Sequence, residues 1–280
     1  MNEQNKAMHS NKESMPMLLG AIVGDIVGSR FEFDNHRSKD FDMFHRDCSP
    51  TDDSIMTMAV CVALMDCKPD YSNLEQKAVE WMQEFGKVYP HAGYGGRFRR
   101  WIVAADPKPY NSWGNGSAMR VSPVAYVAKS MDEVKELSRL VTQVTHNHPE
   151  GIKGAEATAV ATYMALHGAS KQEIHELITA NYYALDFTLD AIRSTYRFNE
   201  SCQHTVPQAL EAFFEAEDFE STLRNGISIG GDSDTIGAIA GAVAGAYYGI
   251  PQEIADQAWR YLDKTQKAVL RKFMEHIKNA

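Results

Sequence analysis

Two short runs of oxygen-bearing side chains, Thr51-Asp52-Asp53 and Asp232-Ser233-Asp234-Thr235, each crowd two carboxylates and at least one hydroxyl into a single helical turn. Neighbouring carboxylates repel, so each pair needs a compensating partner. For the first run the free amides of a helix start can serve. Ser49 and Pro50 precede it, acidic side chains favour a first turn, and Ile55, Met58, Ala59 and Val62 follow at helical spacing. Taken alone, this run reads equally well as a helix cap and as a set of ligands. The second run follows Gly230-Gly231 and leads straight into an apolar stretch, 236–248, which puts its carboxylates at the edge of a core where unpaired charge is costly. Hard divalent ions such as Mg²⁺ or Mn²⁺ prefer oxygen ligands, and the two runs together supply enough donors for a two-ion centre. Zinc or a softer metal is disfavoured, because no cysteine or multi-histidine cluster accompanies the carboxylates.

Helices must position these runs. Apolar periodicity predicts them over 73–85, 131–144, 154–167, 171–180, 206–216 and 252–277, besides the two that begin at the acidic runs. The stretch 17–28 is apolar and rich in small residues, which suits a tightly packed helix. Residues 30–50 are charged and aromatic without a period and read as a loop. Strand-like alternation is rare, so the expected fold is all-α, a compact single domain over 16–280 preceded by a disordered tail at 1–15. Gly237, Gly241, Gly245 and Gly249 recur every four residues on one helix face, a pattern that lets a neighbouring helix approach closely and carries no chemistry of its own. Gly93-Tyr94-Gly95-Gly96 and Gly114-Asn115-Gly116 interrupt the helices and read as loops near a site.

A chain of 280 residues can bury a substantial core, and its 44% hydrophobic and 23% charged residues are those of an ordinary globular protein. A net charge of −9 argues against a broad basic surface for nucleic acid. Cys48, Cys61, Cys67 and Cys202 show no C-x-x-C spacing and read as reduced thiols of a cytoplasmic protein. Neither a signal core nor a membrane-spanning segment is apparent, so no membrane partner is expected, and a monomer is the default state.

Several stretches acquire meaning when taken in order: Gly20-Ala21-Ile22-Val23-Gly24-Asp25; Glu32 after Gly28-Ser29-Arg30-Phe31; Thr51-Asp52-Asp53-Ser54; Asn115-Gly116-Ser117-Ala118-Met119-Arg120; Thr145-His146; and Gly231-Asp232-Ser233-Asp234-Thr235-Ile236-Gly237. Through them the chain resembles the ADP-ribosylglycohydrolase family, which includes the dinitrogen reductase-activating glycohydrolases and the ADP-ribosyl-acceptor hydrolases. The resemblance implies a helical fold with a metal cleft holding two Mg²⁺ or Mn²⁺. It implies Thr51, Asp52, Asp53, Asp232, Asp234 and Thr235 as ligands, with Asp234 best placed to bridge the ions. Glu32 matches the glutamate that approaches the metals in some members. Glu32, Asp52 and Asp53 are then the candidates for acid–base work.

The activity so implied is metal-dependent cleavage of the glycosidic bond between ADP-ribose and an acceptor, either a protein side chain such as arginine or serine or a small molecule. Two other readings compete: a module that binds ADP-ribose without cleaving it, and a two-metal phosphohydrolase acting on a nucleotide diphosphate. For the ligand, Gly93, Tyr94, Gly95 and Gly96 offer backbone amides to a diphosphate and a ring for stacking, and Asn115, Gly116, Ser117 and Met119 offer further amides and a hydroxyl. Each loop alone is as readily a plain turn; the resemblance favours phosphate binding and sets His146 on the ribose or adenosine side. His146 and His148 lack a third ligand for a metal pair. Arg97, Arg99 and Arg100 read as a solvated face from which one arginine could meet phosphate. Tyr182, Tyr183, Phe187 and Tyr196 read as core.

Overall fold

The computed structural model describes residues 19–279, and the chain there forms fourteen helices: α1 (Leu19–Ser29), α2 (Asp52–Asp66), α3 (Leu74–Val88), α4 (Gly96–Ile102), α5 (Val124–Val127), α6 (Met131–Thr142), α7 (Pro149–Leu166), α8 (Lys171–Asn181), α9 (Leu189–Ile192), α10 (Val206–Phe214), α11 (Phe219–Ile227), α12 (Ser233–Tyr248), α13 (Gln252–Tyr261) and α14 (Lys264–Asn279). Among the described residues there is no sheet, only an isolated antiparallel bridge between Gly114 and Ser201. The expected all-α class holds. The expected tail at 1–15 lies outside the described residues.

α12 is the axis. It is apolar on all sides and buried from Ser233 to Ala246, as a helix without a polar face must be. α1, α7, α10 and α11 surround it, and α1 crosses it most intimately. That crossing is made of glycine on both sides. A Cβ on Gly20 or Gly24 would overlap the carbonyl of Gly241 or Gly237, and one on Gly28 would sit 2.6 Å from the Asp234 Cα. The glycine period of α12 therefore packs as expected, and it finds a matching period in α1. Gly249 is the exception: it adopts φ +74°, touches nothing, and ends the helix.

The helix expected over 252–277 is in fact two. Leu262 turns extended, and Asp263 restarts the chain through a reciprocal pair, its carboxylate accepting from the Gln266 amide at 2.9 Å while its own amide donates to the Gln266 side chain at 2.9 Å. α4, α5, α9 and α11 arise in stretches without an expected helix. Three of these have only four to seven residues, too few for a clear apolar period; α11 hides its pattern behind polar residues, yet Asp218 and Ser221 cap it reciprocally. Among the described residues no helix is long and apolar enough to cross a membrane, and all four cysteines are free.

Candidate metal centre

The first turns of α2 and α12 meet near the C-terminal end of α1. Thr51 caps α2, its hydroxyl oxygen accepting from the Asp53 amide at 3.3 Å, so capping and site-building are served by one geometry. What fixes that turn in space is Asp25 of α1, a residue to which sequence reasoning attached no role. It is fully buried, and its Oδ1 accepts from the Thr51 hydroxyl at 2.6 Å. Its Oδ2 accepts from the Thr51 amide at 2.9 Å, the Ser54 amide at 3.0 Å and the Ser54 hydroxyl. Four donors fill a carboxylate's capacity, so Asp25 acts as the anchor of the turn. Burial nevertheless pushes it up to about 6. Its signal in the sequence is a lone acid following Gly24 inside an apolar, glycine-spaced helix.

Two sets of carboxylate oxygens lie within 4.8 Å of one another, Asp25 with Asp53 and Asp234, and Glu32 with Asp232 and Asp234. Asp234 belongs to both. Burial first, and then the charges of their neighbours, raise Asp53 and Asp234 well above the carboxylate range. The same causes push Asp52 up to about 8 and Glu32 up to about 7, and burial also raises Asp232. Among the described residues no ion pair neutralises any of them. Asp53 Oδ1 is buried with no partner at all. The hydroxyls of Thr51 and Thr235 lie 3.4 and 3.5 Å from Asp53 Oδ2. An all-oxygen donor set with excess negative charge and an orphaned buried oxygen fits hard divalent cations. Asp52 lines the cleft but joins neither set, its amide bound to the Ala92 carbonyl at 2.7 Å.

Gly230 and Gly231, at φ +70° and +84°, form the turn that presents Asp232 and Asp234, a conformation that favours glycine. Asn35 clamps this turn, accepting from the Gly231 amide at 2.8 Å and donating to its carbonyl at 2.9 Å. Arg37 donates to the Ile229 and Tyr196 carbonyls, each at 2.7 Å, and the Tyr196 ring closes over Gly231. Asn35 and Arg37 come from the aperiodic loop after α1. Nothing local marks these partners, which lie 159 to 196 positions away.

The rest of the cleft lining includes Gly93, Gly95, Gly96, Arg97, Tyr110, Gly116, Met119, Arg120, His146 and Glu200. Two expected substrate contacts, Tyr94 and Ser117, lie outside the cleft lining, and a third, Asn115, lines it but has a structural partner as well. Tyr94 is buried in the core against Phe98 and is no stacking platform. Ser117 is buried, its hydroxyl donated to the Gly151 carbonyl at 2.8 Å. Asn115 spends its side-chain amide on Asp232 Oδ2 at 2.7 Å and on the Thr205 hydroxyl at 3.1 Å, so it steadies a carboxylate. Of the three clustered arginines, only Arg97 lines the cleft. His148 caps α7, accepting from the Glu150 amide at 3.1 Å. Arg120, Tyr110 and Glu200 are lining residues that sequence reasoning left without a role. Arg120 is fully buried in spite of its charge.

Known proteins resemble this chain along most of its length. The model of the ADP-ribosylglycohydrolase family matches residues 12–279. ADP-ribosylhydrolase ARH3 of Bos taurus is 27% identical, the match covering 87% of this chain and 86% of that one. ADP-ribosylarginine hydrolase Tri1 of Pseudomonas putida (strain GB-1) is 26% identical over 86% of this chain and 73% of its own length. A solved structure described as an ADP-ribosylglycohydrolase-related protein complex superposes with a TM-score of 0.65 at 26% identity, covering 93% of this chain and 96% of that one.

Proposed function

This chain belongs to the ADP-ribosylglycohydrolase family, and from that premise we propose that it is a divalent-metal-dependent hydrolase that cleaves the glycosidic bond between ADP-ribose and an acceptor. The observation that carries the proposal is the pair of carboxylate sets sharing Asp234, which no ion pair among the described residues compensates. We assign Asp53, Asp232 and Asp234 as the residues that would chiefly hold two Mg²⁺ or Mn²⁺ ions, Asp234 being common to both carboxylate sets, with Thr51, Asp52 and Thr235 completing the donor set. Ions bound there supply Lewis acidity, lowering the pKa of a water and orienting the ribose hydroxyls.

The chain's own residues do the rest. Glu32, half-buried, lines the cleft beside Asp232 and Asp234 and is the carboxylate we assign as general base. In this reading its carboxylate takes the proton of the water that attacks the anomeric carbon and then returns that proton to the departing acceptor as the glycosidic bond breaks. Arg97, the amides of Gly93, Gly95, Gly96 and Gly116, and His146 take the diphosphate and ribose portions. Met119 bounds that space beside Thr235, its sulfur 3.9 Å from the threonine hydroxyl.

The test is a panel of defined substrates bearing ADP-ribose on arginine, on serine or on a small acceptor, each assayed with Mg²⁺, with Mn²⁺ and with chelator. Release of intact ADP-ribose that depends on the ion is the expected result. AMP as product would instead make the protein a phosphohydrolase, and tight ADP-ribose binding without turnover would make it a binding module.

A further inference from the structure

Arg120 is a buried cation without a carboxylate partner among the described residues, and its contacts run in a chain. Its Nη2 donates to the Thr145 hydroxyl at 2.6 Å, and that hydroxyl lies 2.7 Å from His146 Nδ1. The guanidinium also lies over the Phe98 ring, 5.4 Å from its centroid, which holds its plane. A guanidinium can only donate, so it occupies one lone pair of the Thr145 oxygen. The threonine proton then has two acceptors within reach, His146 Nδ1 at 2.7 Å and the Thr142 carbonyl at 3.5 Å. The shorter contact wins by a wide margin.

From this geometry we infer that Arg120 and Thr145 are positioning residues, which hold His146 as the tautomer that carries its only ring proton on Nε2. Burial and the Arg120 charge keep the ring neutral, so the two tautomers are the relevant choice. His146 Nε2 faces Gly114 and Gly116, 3.4 Å from where a Cβ on either would stand, and no protein group among the described residues accepts its proton. The two glycines keep that face open to the cleft. His146 thus offers one neutral N–H to an oxygen of the ligand, and Arg120 acts at second hand. The identity of that ligand as the ribose-phosphate portion of ADP-ribose rests on the function proposed above; the tautomer does not.

The experiment is nitrogen NMR on the full chain with ¹⁵N-labelled histidine rings, His146 being assigned by its loss in H146Q. The wild type should show a protonated Nε2 and a bare, hydrogen-bonded Nδ1. T145V should lose that preference, and T145S should restore it. A wild-type ring protonated on Nδ1, or a T145V ring unchanged from wild type, overturns the inference; the first of these decides the matter even if T145V does not fold. With any substrate the panel yields, T145V should raise KM about fivefold to tenfold, the loss of one well-placed hydrogen bond, with kcat essentially unchanged. A fall in kcat at constant KM would count against it. If no ADP-ribosylated substrate is turned over, the functional reading fails while the NMR still judges the relay.

Discussion

The two parts of the cleft lining solve opposite electrostatic problems. Around Asp53, Asp232 and Asp234 the protein gathers buried carboxylates and, among the described residues, leaves one oxygen orphaned and pairs none of them with a cation. Around Arg120 and His146 it buries a cation, links it through Thr145 to a neutral ring and leaves that ring's outer nitrogen open. Among the described residues the first part lacks a cation to pair with its carboxylates; the second lacks an anion, and Arg120 Nε is buried there without a hydrogen-bond partner. Their supports differ too. The acidic part stands on helix starts held by a backbone-to-backbone crossing that tolerates no side chain. The basic part stands on loops, where a few side-chain hydrogen bonds do the holding. A site that must bear repulsion needs the stiffer scaffold.

The contrast is broken most severely by removing the shared carboxylate. Asp234→Asn should lower kcat/KM on the order of a thousandfold and weaken metal binding measured by calorimetry. Retained activity together with retained metal affinity would show that the two carboxylate sets do not work as one centre.

The scaffold comes next. Gly24→Ala places a methyl group against the Gly237 carbonyl, and the helices can only separate. A loss of about 3 kcal/mol, a fall in Tm on the order of 6–12 °C, is expected by thermal denaturation. Gly95→Ala is the matched control, since a Cβ there meets nothing, and its Tm should stay at the wild-type value. Equal Tm values for Gly24→Ala and the control would mean that the crossing is looser than it looks.

The smallest effect, and the most diagnostic of the acidic part, is on stability against pH. Asp25 is pushed up to about 6 and Asp52 to about 8, and Asp53, Asp232 and Asp234 are also raised. Without metal the folded chain therefore holds protons that the unfolded chain, with ordinary carboxylates, has released. The stability from holding them is full below the unfolded pKa near 4 and is lost as pH rises through about 6 to 8. In chelator Tm should fall across that window, and the stabilisation gained on adding Mg²⁺ or Mn²⁺ should grow with pH, since metal displaces those protons. A metal-induced gain that is the same at pH 5 and pH 8 would contradict the uncompensated cluster.

The sequence was informative wherever a residue's role is settled by its near neighbours. Thr51, Asp52 and Asp53 could be seen as both a helix start and donors, because a cap is a local event. The same holds for Gly237, Gly241 and Gly245, whose spacing alone announces a close helix. It was wrong about Tyr94 and Ser117, which lie outside the cleft lining, and incomplete for Asn115, which lines the cleft but also holds a carboxylate. Each looked like part of a ligand-binding loop, but its partner lies elsewhere: Phe98 in the core, the Gly151 carbonyl, and Asp232, 117 positions downstream. A polar side chain in a glycine-rich loop reads the same whether it faces a ligand or a distant carboxylate.

What this sequence determined by itself is the helical class, the two acidic runs with their oxygen-only donors, and the motifs that carry the family resemblance. All of these follow from residue types at short spacing. Tertiary structure alone decided that Asp25 anchors the first run, that Asn35 and Arg37 hold the glycine turn of the second, that Asp234 is common to both carboxylate sets, and that Arg120 reaches His146 through Thr145. Those facts depend on how closely α1 approaches α12 and on which loops fold back over them. Distances between segments far apart in the chain are set by the packing of the whole core, and no local pattern encodes them.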